Sequence, residues 1–188
     1  MSVNKLTFNL MIAGIGGQGT VLASKLIAIA AMKKGYDVRT TETIGMAQRG
    51  GSVFGHVRIG ENIFSPIIPL GKADAIIAFE PAEAVRQLPY LRKDGTVIVY
   101  DNASANANAM ADYLRANVSK LVIIDGKRLM LQSARTLNAA ILGAAAQIGI
   151  FPFDAETLKE TITEALPQRF LELNLSSFES GRSVFQNN

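Results

Sequence analysis

The sequence contains no cysteine and no tryptophan, and a single histidine, His56. Without cysteine the chain forms no disulfide, offers no thiolate nucleophile and ligates no iron–sulfur cluster. This suits a reducing compartment, and a cytoplasmic protein is expected. One histidine supports neither a histidine-based metal centre nor a serine–histidine triad unless another chain completes it. No metal centre is therefore expected within this chain.

Long apolar runs are also lacking. The apolar stretch beginning at Leu6 is only about eight residues, short for a signal-peptide core with its cleavage site and far short of the roughly 20 that a membrane span needs. Leu137–Ile150 is rich in alanine but carries Asn138 and Gln147, so it reads as a buried helix. Neither sign of charge dominates: 19 Lys and Arg face 16 Asp and Glu, for a net charge of +3 with no basic run. No nucleic-acid partner and no membrane partner are expected, since a few local anion contacts account for a basic pI.

What is present is an ordinary globular composition, with 48% hydrophobic and 19% charged residues. The 188 residues read as a single domain, 1–188, with no internal repeat and no linker. Leu6–Ala13 is a strand candidate that ends in glycines. Val21, Leu22, Leu26, Ile27 and Ala30 recur at helical spacing over Thr20–Lys34, and Gly35 stands where a C-cap belongs. Tyr36–Glu42 reads as the second strand, which favours a parallel sheet with a right-handed crossover.

Thr43–Gly51 is a polar loop. Ser52–Ile59 and Ile63–Ile68 are β-like runs separated by Gly60-Glu61-Asn62, a hairpin signal that puts an antiparallel element in the sheet. Ala73–Phe79, Thr96–Tyr100 and Lys120–Ile124 are further strands. Pro81–Arg92 and Asn106–Asn117 read as helices, and Leu131–Ile148 as the longest one, apolar all round and buried. Asp154 is placed to cap a helix through Leu166, and a last helix runs from about Gln168 to Ser180. This alternation predicts an α/β fold: a three-layer α/β/α sandwich on a mostly parallel sheet with an antiparallel hairpin.

The segment richest in chemistry is Gly14-Ile15-Gly16-Gly17-Gln18-Gly19-Thr20, between a strand and a helix. Glycines let a backbone turn tightly and approach a ligand. The helix start after them offers unpaired N–H groups and a positive dipole end, which suits a phosphate or carboxylate. Gly14, Gly16 and Gly19 also satisfy the G-x-G-x-x-G fingerprint, so a free-standing NAD- or FAD-binding oxidoreductase is the alternative reading. Against it, Glu42 lies 28 residues beyond Gly14, past the usual spacing of about 20 for the ribose-binding acid. A hairpin rather than another βα unit follows the second strand. A tight strand–helix turn without a ligand is the bland reading, but four glycines in six positions are more than a turn needs.

A second cluster, Glu42-Thr43-Ile44-Gly45-Met46-Ala47-Gln48-Arg49-Gly50-Gly51, follows at the end of the second strand. Arg49 suits bidentate contact with a phosphate or carboxylate, and Gln48 both donates and accepts. A solvated loop whose arginine pairs with a nearby acid accounts for the same residues.

Taken together, Gly14–Gly19, Gly45–Val53 and His56-Val57-Arg58 resemble the gamma-type domain of 2-oxoacid:ferredoxin oxidoreductases. The similarity continues through Ser65-Pro66, Gly71-Lys72-Ala73-Asp74, Ala78-Phe79-Glu80-Pro81 with Glu83-Ala84, and Asn138 with Leu142-Gly143-Ala144. The form Gly45-Met46-Ala47-Gln48-Arg49-Gly50-Gly51 and the stretch Leu88-Pro89-Tyr90-Leu91 are similar to the indolepyruvate type. The resemblance implies a fold like domain III of pyruvate-ferredoxin oxidoreductase. It implies a non-catalytic small subunit, inactive alone, in an enzyme that converts a 2-oxoacid and coenzyme A to an acyl-CoA and carbon dioxide. Thiamine diphosphate, Mg and iron–sulfur clusters would belong to a large partner subunit, and ferredoxin would be met through the complex. The same resemblance places coenzyme A contacts on Gly14, Gly16, Gly17, Gln18, Gly19, Thr20, Gln48 and Arg49, and has the domain cover the thiamine site. Asn138-Ala139-Ala140-Ile141 departs from it, where a methionine is expected before Leu142.

Of the remaining residues, His56 and Asn138 read as structural, Arg58 as an ion-pair partner, and Asp74 as a cap or turn residue. Ser65-Pro66 is expected to turn near the glycine loop. The isolated chain is expected to expose a partner-sized apolar patch and to form homo-oligomers through it.

Overall fold

A computed structural model of the chain describes residues 7–44, 50–101, 107–129, 131 and 133–185. The strands are β1 (Thr7–Ile15), β2 (Asp37–Ile44), β3 (Ser52–Gly60), β4 (Ala73–Ala78), β5 (Leu91–Asp101) and β6 (Lys120–Asp125). The helices are α1 (Thr20–Lys33), α2 (Pro81–Gln87), α3 (Ala107–Asn117), α4 (Leu137–Ile148), α5 (Ala155–Ala165) and α6 (Gln168–Ser183).

The strands form one sheet in the order β2-β3-β1-β4-β5-β6. β1, β4, β5 and β6 pair in parallel. β3 runs antiparallel to both neighbours, with Met11 opposite His56 and Thr41 opposite His56 on its two edges. Central strands covered on both faces read as continuous apolar runs, and Leu10, Met11, Ile12 and Ala13 are all fully buried. Leu10, Ile12, Ile77 and Ile98 pack under α1, α4 and α5, while Met11, Ile76, Val97 and Val99 pack under α2 and α3. The three-layer sandwich and its mixed sheet are as the sequence predicts. No helix among the described residues is long and apolar enough to cross a membrane.

Several elements differ from their predicted form. Ile63–Ile68 is not a strand; residues 61–72 are irregular. β3 already has β1 and β2 on its edges and leaves no place for a hairpin partner, and Pro66 and Pro69 lack the N–H a ladder requires. The antiparallel pairing comes instead from β2 and β3. Arg58 forms no ion pair among the described residues: its Nη1 donates to the carbonyl of Ser65 at 2.9 Å and its Nε to Asn9 Oδ1 at 2.9 Å. Ser65 therefore lies near the start of β1, away from the glycine loop that follows the end of β1. The helix expected over Pro81–Arg92 stops at Gln87, because Pro89 lies in a short 3-10 turn before β5. The helix expected over Leu131–Ile148 begins only at Leu137, after a 3-10 turn at Ala134–Thr136, so α6 with 16 residues is longer than α4 with 12.

α4 and α6 meet backbone to backbone. A Cβ on Gly143 would run into the carbonyl of Phe178, and one on Gly181 into the carbonyl of Ala140. Gly35 has φ +82° and closes α1 by donating to the carbonyl of Met32 at 2.9 Å. Asp154 caps α5 by accepting from the N–H of Thr157 at 2.8 Å.

Candidate functional site

From β1 the chain crosses over α1 to β2 on one side of the sheet; from β4 it proceeds through α2 to β5 on the other. Adjacent parallel strands that diverge in this way open a crevice at their carboxyl ends, where open α/β sheets place ligands. The Gly14–Thr20 loop leaves β1 on one lip of this crevice. Glu80 leaves β4 on the other.

The loop is held in four ways. The Gln18 side chain folds back, its Oε1 accepting from the N–H of Ile15 at 2.8 Å and its Nε2 donating to Glu80 Oε1 at 2.8 Å. The N–H of Gln18 donates to the carbonyl of Ile15 at 3.1 Å, and the N–H of Gly16 to the carbonyl of Gly51 at 2.9 Å. Gly14 has no room for a side chain: an added Cβ would lie 2.7 Å from Thr20 Cγ2 and 2.8 Å from Gln18 Oε1. Gly17 has φ +103° with no atom within 4 Å of where a Cβ would be, so it lies at the open face of the loop. Gly19, at φ 83° and ψ 23°, is the N-cap of α1 and supplies no side-chain cap. The first-turn N–H groups of α1 are thus left for a ligand, with the helix dipole behind them.

The neighbouring strand start is tied to the same region. Ser52 Oγ donates to Glu83 Oε2 at 2.6 Å, and the Glu83 side chain is only 3% exposed and paired with Arg86. Together with the Gly16–Gly51 bond, this fixes Gly50 to Ser52 beside the glycine loop. Gln48 and Arg49, the other two predicted contacts, lie outside the described residues.

The far half of the crevice is acidic. Asp101 ends β5 and Asp125 ends β6, and burial, then the charges of Glu80, Asp101 and Asp125, raises the Tyr100 phenol above its usual value. An anion is therefore favoured at the α1 start and disfavoured over β5 and β6. His56, by contrast, sits inside the sheet, 5% exposed, with Nδ1 accepting from the N–H of Ile68 at 3.3 Å and its ring edge-on to Phe54 and Tyr90. Its role is structural, as the sequence suggests. Asp74 is also structural: it accepts from the N–H of Asn9 at 2.7 Å and pairs with Arg92 at 2.8 Å. Sequence reasoning left Glu83 unassigned. Its signals are its place in the family resemblance and an acid in the first turn of a helix opened by Pro81.

Comparisons with known proteins match this geometry to a group of relatives. A family model described as pyruvate ferredoxin/flavodoxin oxidoreductase matches residues 9–184. The chain is 35% identical to indolepyruvate oxidoreductase subunit IorB of Thermococcus kodakarensis over 191 residues, covering 93% of this chain and 94% of that one. It is similar in structure to pyruvate oxidoreductase subunit PORC of Thermotoga maritima, with a TM-score of 0.72 at 22% identity over 94% of this chain and 96% of the other. It is also similar to 2-oxoglutarate:ferredoxin oxidoreductase from Magnetococcus marinus, solved with 2-oxoglutarate, coenzyme A and succinyl-CoA bound, with a TM-score of 0.74 at 20% identity. In that case it covers 95% of this chain and 31% of the other, so the fold there is one part of a longer polypeptide.

Proposed function

Because the chain belongs to the pyruvate ferredoxin/flavodoxin oxidoreductase family, by homology as a small subunit of a 2-oxoacid:ferredoxin oxidoreductase of the indolepyruvate type, we propose that it holds part of coenzyme A at its glycine loop and covers the thiamine site of a large partner subunit. The observation that carries the reading is the uncapped start of α1 behind a glycine loop, at the point where β1 and β4 diverge. The loop fits a phosphate group of coenzyme A: Gly17 leaves its outer face open and the helix N–H groups point outward from it. Gln48 and Arg49 would add polar and charged contacts to the same ligand.

In this reading the reaction joins a 2-oxoacid to coenzyme A, releases carbon dioxide and passes two electrons to ferredoxin. Thiamine diphosphate with Mg, and the iron–sulfur clusters, are the partner's, and supply the decarboxylation and electron-transfer chemistry. A cluster does not fit this chain, which has no cysteine to ligate one. The chain's own residues bind and orient: the loop fixes the nucleotide end of coenzyme A so that its thiol reaches the partner's site. Alone, the chain is inactive. Phe64, Ile67 and Leu70, exposed to 93%, 59% and 66% in the irregular segment 61–72, give it apolar surface suited to a partner subunit. The dinucleotide alternative finds no support in the topology, since β2 is followed by antiparallel β3 rather than another βα unit.

The test is reconstitution. The chain is combined with its large subunit and assayed for indolepyruvate oxidation with varied coenzyme A. Turnover is expected only in the complex, and Arg49→Ala is expected to raise KM for coenzyme A by about tenfold with kcat little changed. Equal activity of the large subunit without this chain would overturn the proposal.

A further inference from the structure

Beside the glycine loop, a buried carboxamide lacks a partner. Asn138, near the start of α4, is 2% exposed, and its Oδ1 accepts no hydrogen bond among the described residues. It packs directly on Gly19: a Cβ there would lie 2.9 Å from Asn138 Nδ2 and 3.1 Å from its Cγ. Gly19 is also the N-cap residue of α1. An amide buried with an unmade hydrogen bond destabilises a fold, whereas an apolar side chain of similar shape would not. Leu137, Ala139, Ala140 and Ile141 around it are apolar and buried, so the helix itself has no use for the amide.

We propose that Asn138 completes the ligand site at the start of α1, accepting a hydrogen bond from an N–H or O–H of the ligand next to its anionic group. The inference rests on the coenzyme A reading of that site and narrows it. The helix end attracts an anion, but a carboxamide oxygen repels one and requires a donor. A ligand that satisfies both carries a phosphate with a hydroxyl or amide close by. The pantetheine arm of coenzyme A, with a hydroxyl and amide N–H groups beyond its pyrophosphate, meets this requirement. Pyrophosphate itself does not.

The experiment uses the reconstituted complex with Asn138→Leu and Asn138→Ala. KM for coenzyme A is measured, with inhibition by 4′-phosphopantetheine and by pyrophosphate, and Tm is measured on the free small subunit. Both variants are expected to raise KM for coenzyme A about tenfold and to weaken phosphopantetheine to a similar degree. Pyrophosphate inhibition should stay within about twofold of wild type, and Asn138→Leu should keep or raise Tm. An unchanged KM in both variants, while Arg49→Ala still raises it, overturns the role of Asn138 and leaves the coenzyme A site standing. An unchanged KM in the Asn138 variants and in Arg49→Ala overturns both. Equal weakening of pyrophosphate and coenzyme A, with a lower Tm, assigns Asn138 to structural support and overturns the proposal as well.

Discussion

Gln18 Nε2 donates to Glu80 Oε1 at 2.8 Å across the carboxyl ends of β1 and β4. One side chain thus closes its own turn, through Ile15, and links the two lips of the crevice. Hydrogen bonds to charged groups contribute about 1.5–3 kcal/mol. Gln18→Ala is expected to lower stability by roughly that amount, read as a lower urea midpoint at unchanged slope. Gln18→Glu should cost more, because it removes the donor and sets two carboxylates against each other. Equal midpoints for wild type and both variants would show that the link contributes nothing.

Two glycines of the loop should respond differently to alanine. At Gly14 the new methyl meets Thr20, Gln18 and Phe79 Cβ, the last at 3.0 Å. This is overpacking, expected to cost about 1–3 kcal/mol and to displace the loop. At Gly17 nothing is in the way, and only φ +103° opposes the change, for about 1–2 kcal/mol. D-alanine introduced at position 17 by semisynthesis tests that cause: it accepts a positive φ and should restore stability there.

The contact between α4 and α6 offers a prediction remote from the site. Gly143→Ala and Gly181→Ala each force the two helix backbones apart. Each is expected to lower Tm by several degrees, from a cost of about 1–3 kcal/mol or more. Because both act on one contact, the double variant should cost less than the sum of the two single changes. Full additivity in thermal unfolding would contradict a shared contact.

A pH dependence follows from His56. Burial lowers its pKa from the ordinary 6.5. Below about pH 6.5 the unfolded chain binds a proton that the folded chain takes up only at lower pH, so stability falls as pH drops through that window and is level above it. His56→Gln should flatten the fall that sets in below about pH 6.5. An unchanged pH profile of Tm in that variant would mean that His56 does not set it.

Where periodicity and end signals agree, the elements were legible in the chain. α1 begins after four glycines and closes at Gly35; α5 begins at Asp154; β1 and β4 are apolar runs bounded by turn residues. Ile63–Ile68 misled because a β-like apolar run is a strand only where a sheet has a free edge for it. Ile63 and Ile68 are buried as anchors, while Phe64 and Ile67 point outward, and that division depends on Arg58 and His56 holding the segment. The glycine loop was readable because backbone freedom is written as residue identity. Glu83 and the unpaired Asn138 were not, because an acid in a helix or an amide among alanines shows nothing of what lies opposite.

The sequence by itself determined the layer order, the place of the glycine loop between a strand and a helix, and, through its missing cysteines, that the chain offers no thiolate to an iron–sulfur cluster. These are local properties: hydrophobic spacing, conformational freedom and ligand chemistry belong to residues one at a time. Only the tertiary structure decided that β3 would lie between β1 and β2, that Glu80 would meet Gln18 from 62 positions away, and that Asn138 would rest on Gly19. Those depend on which strand takes which edge and how closely helices approach. Such choices follow from how the whole core packs, and no single segment carries them.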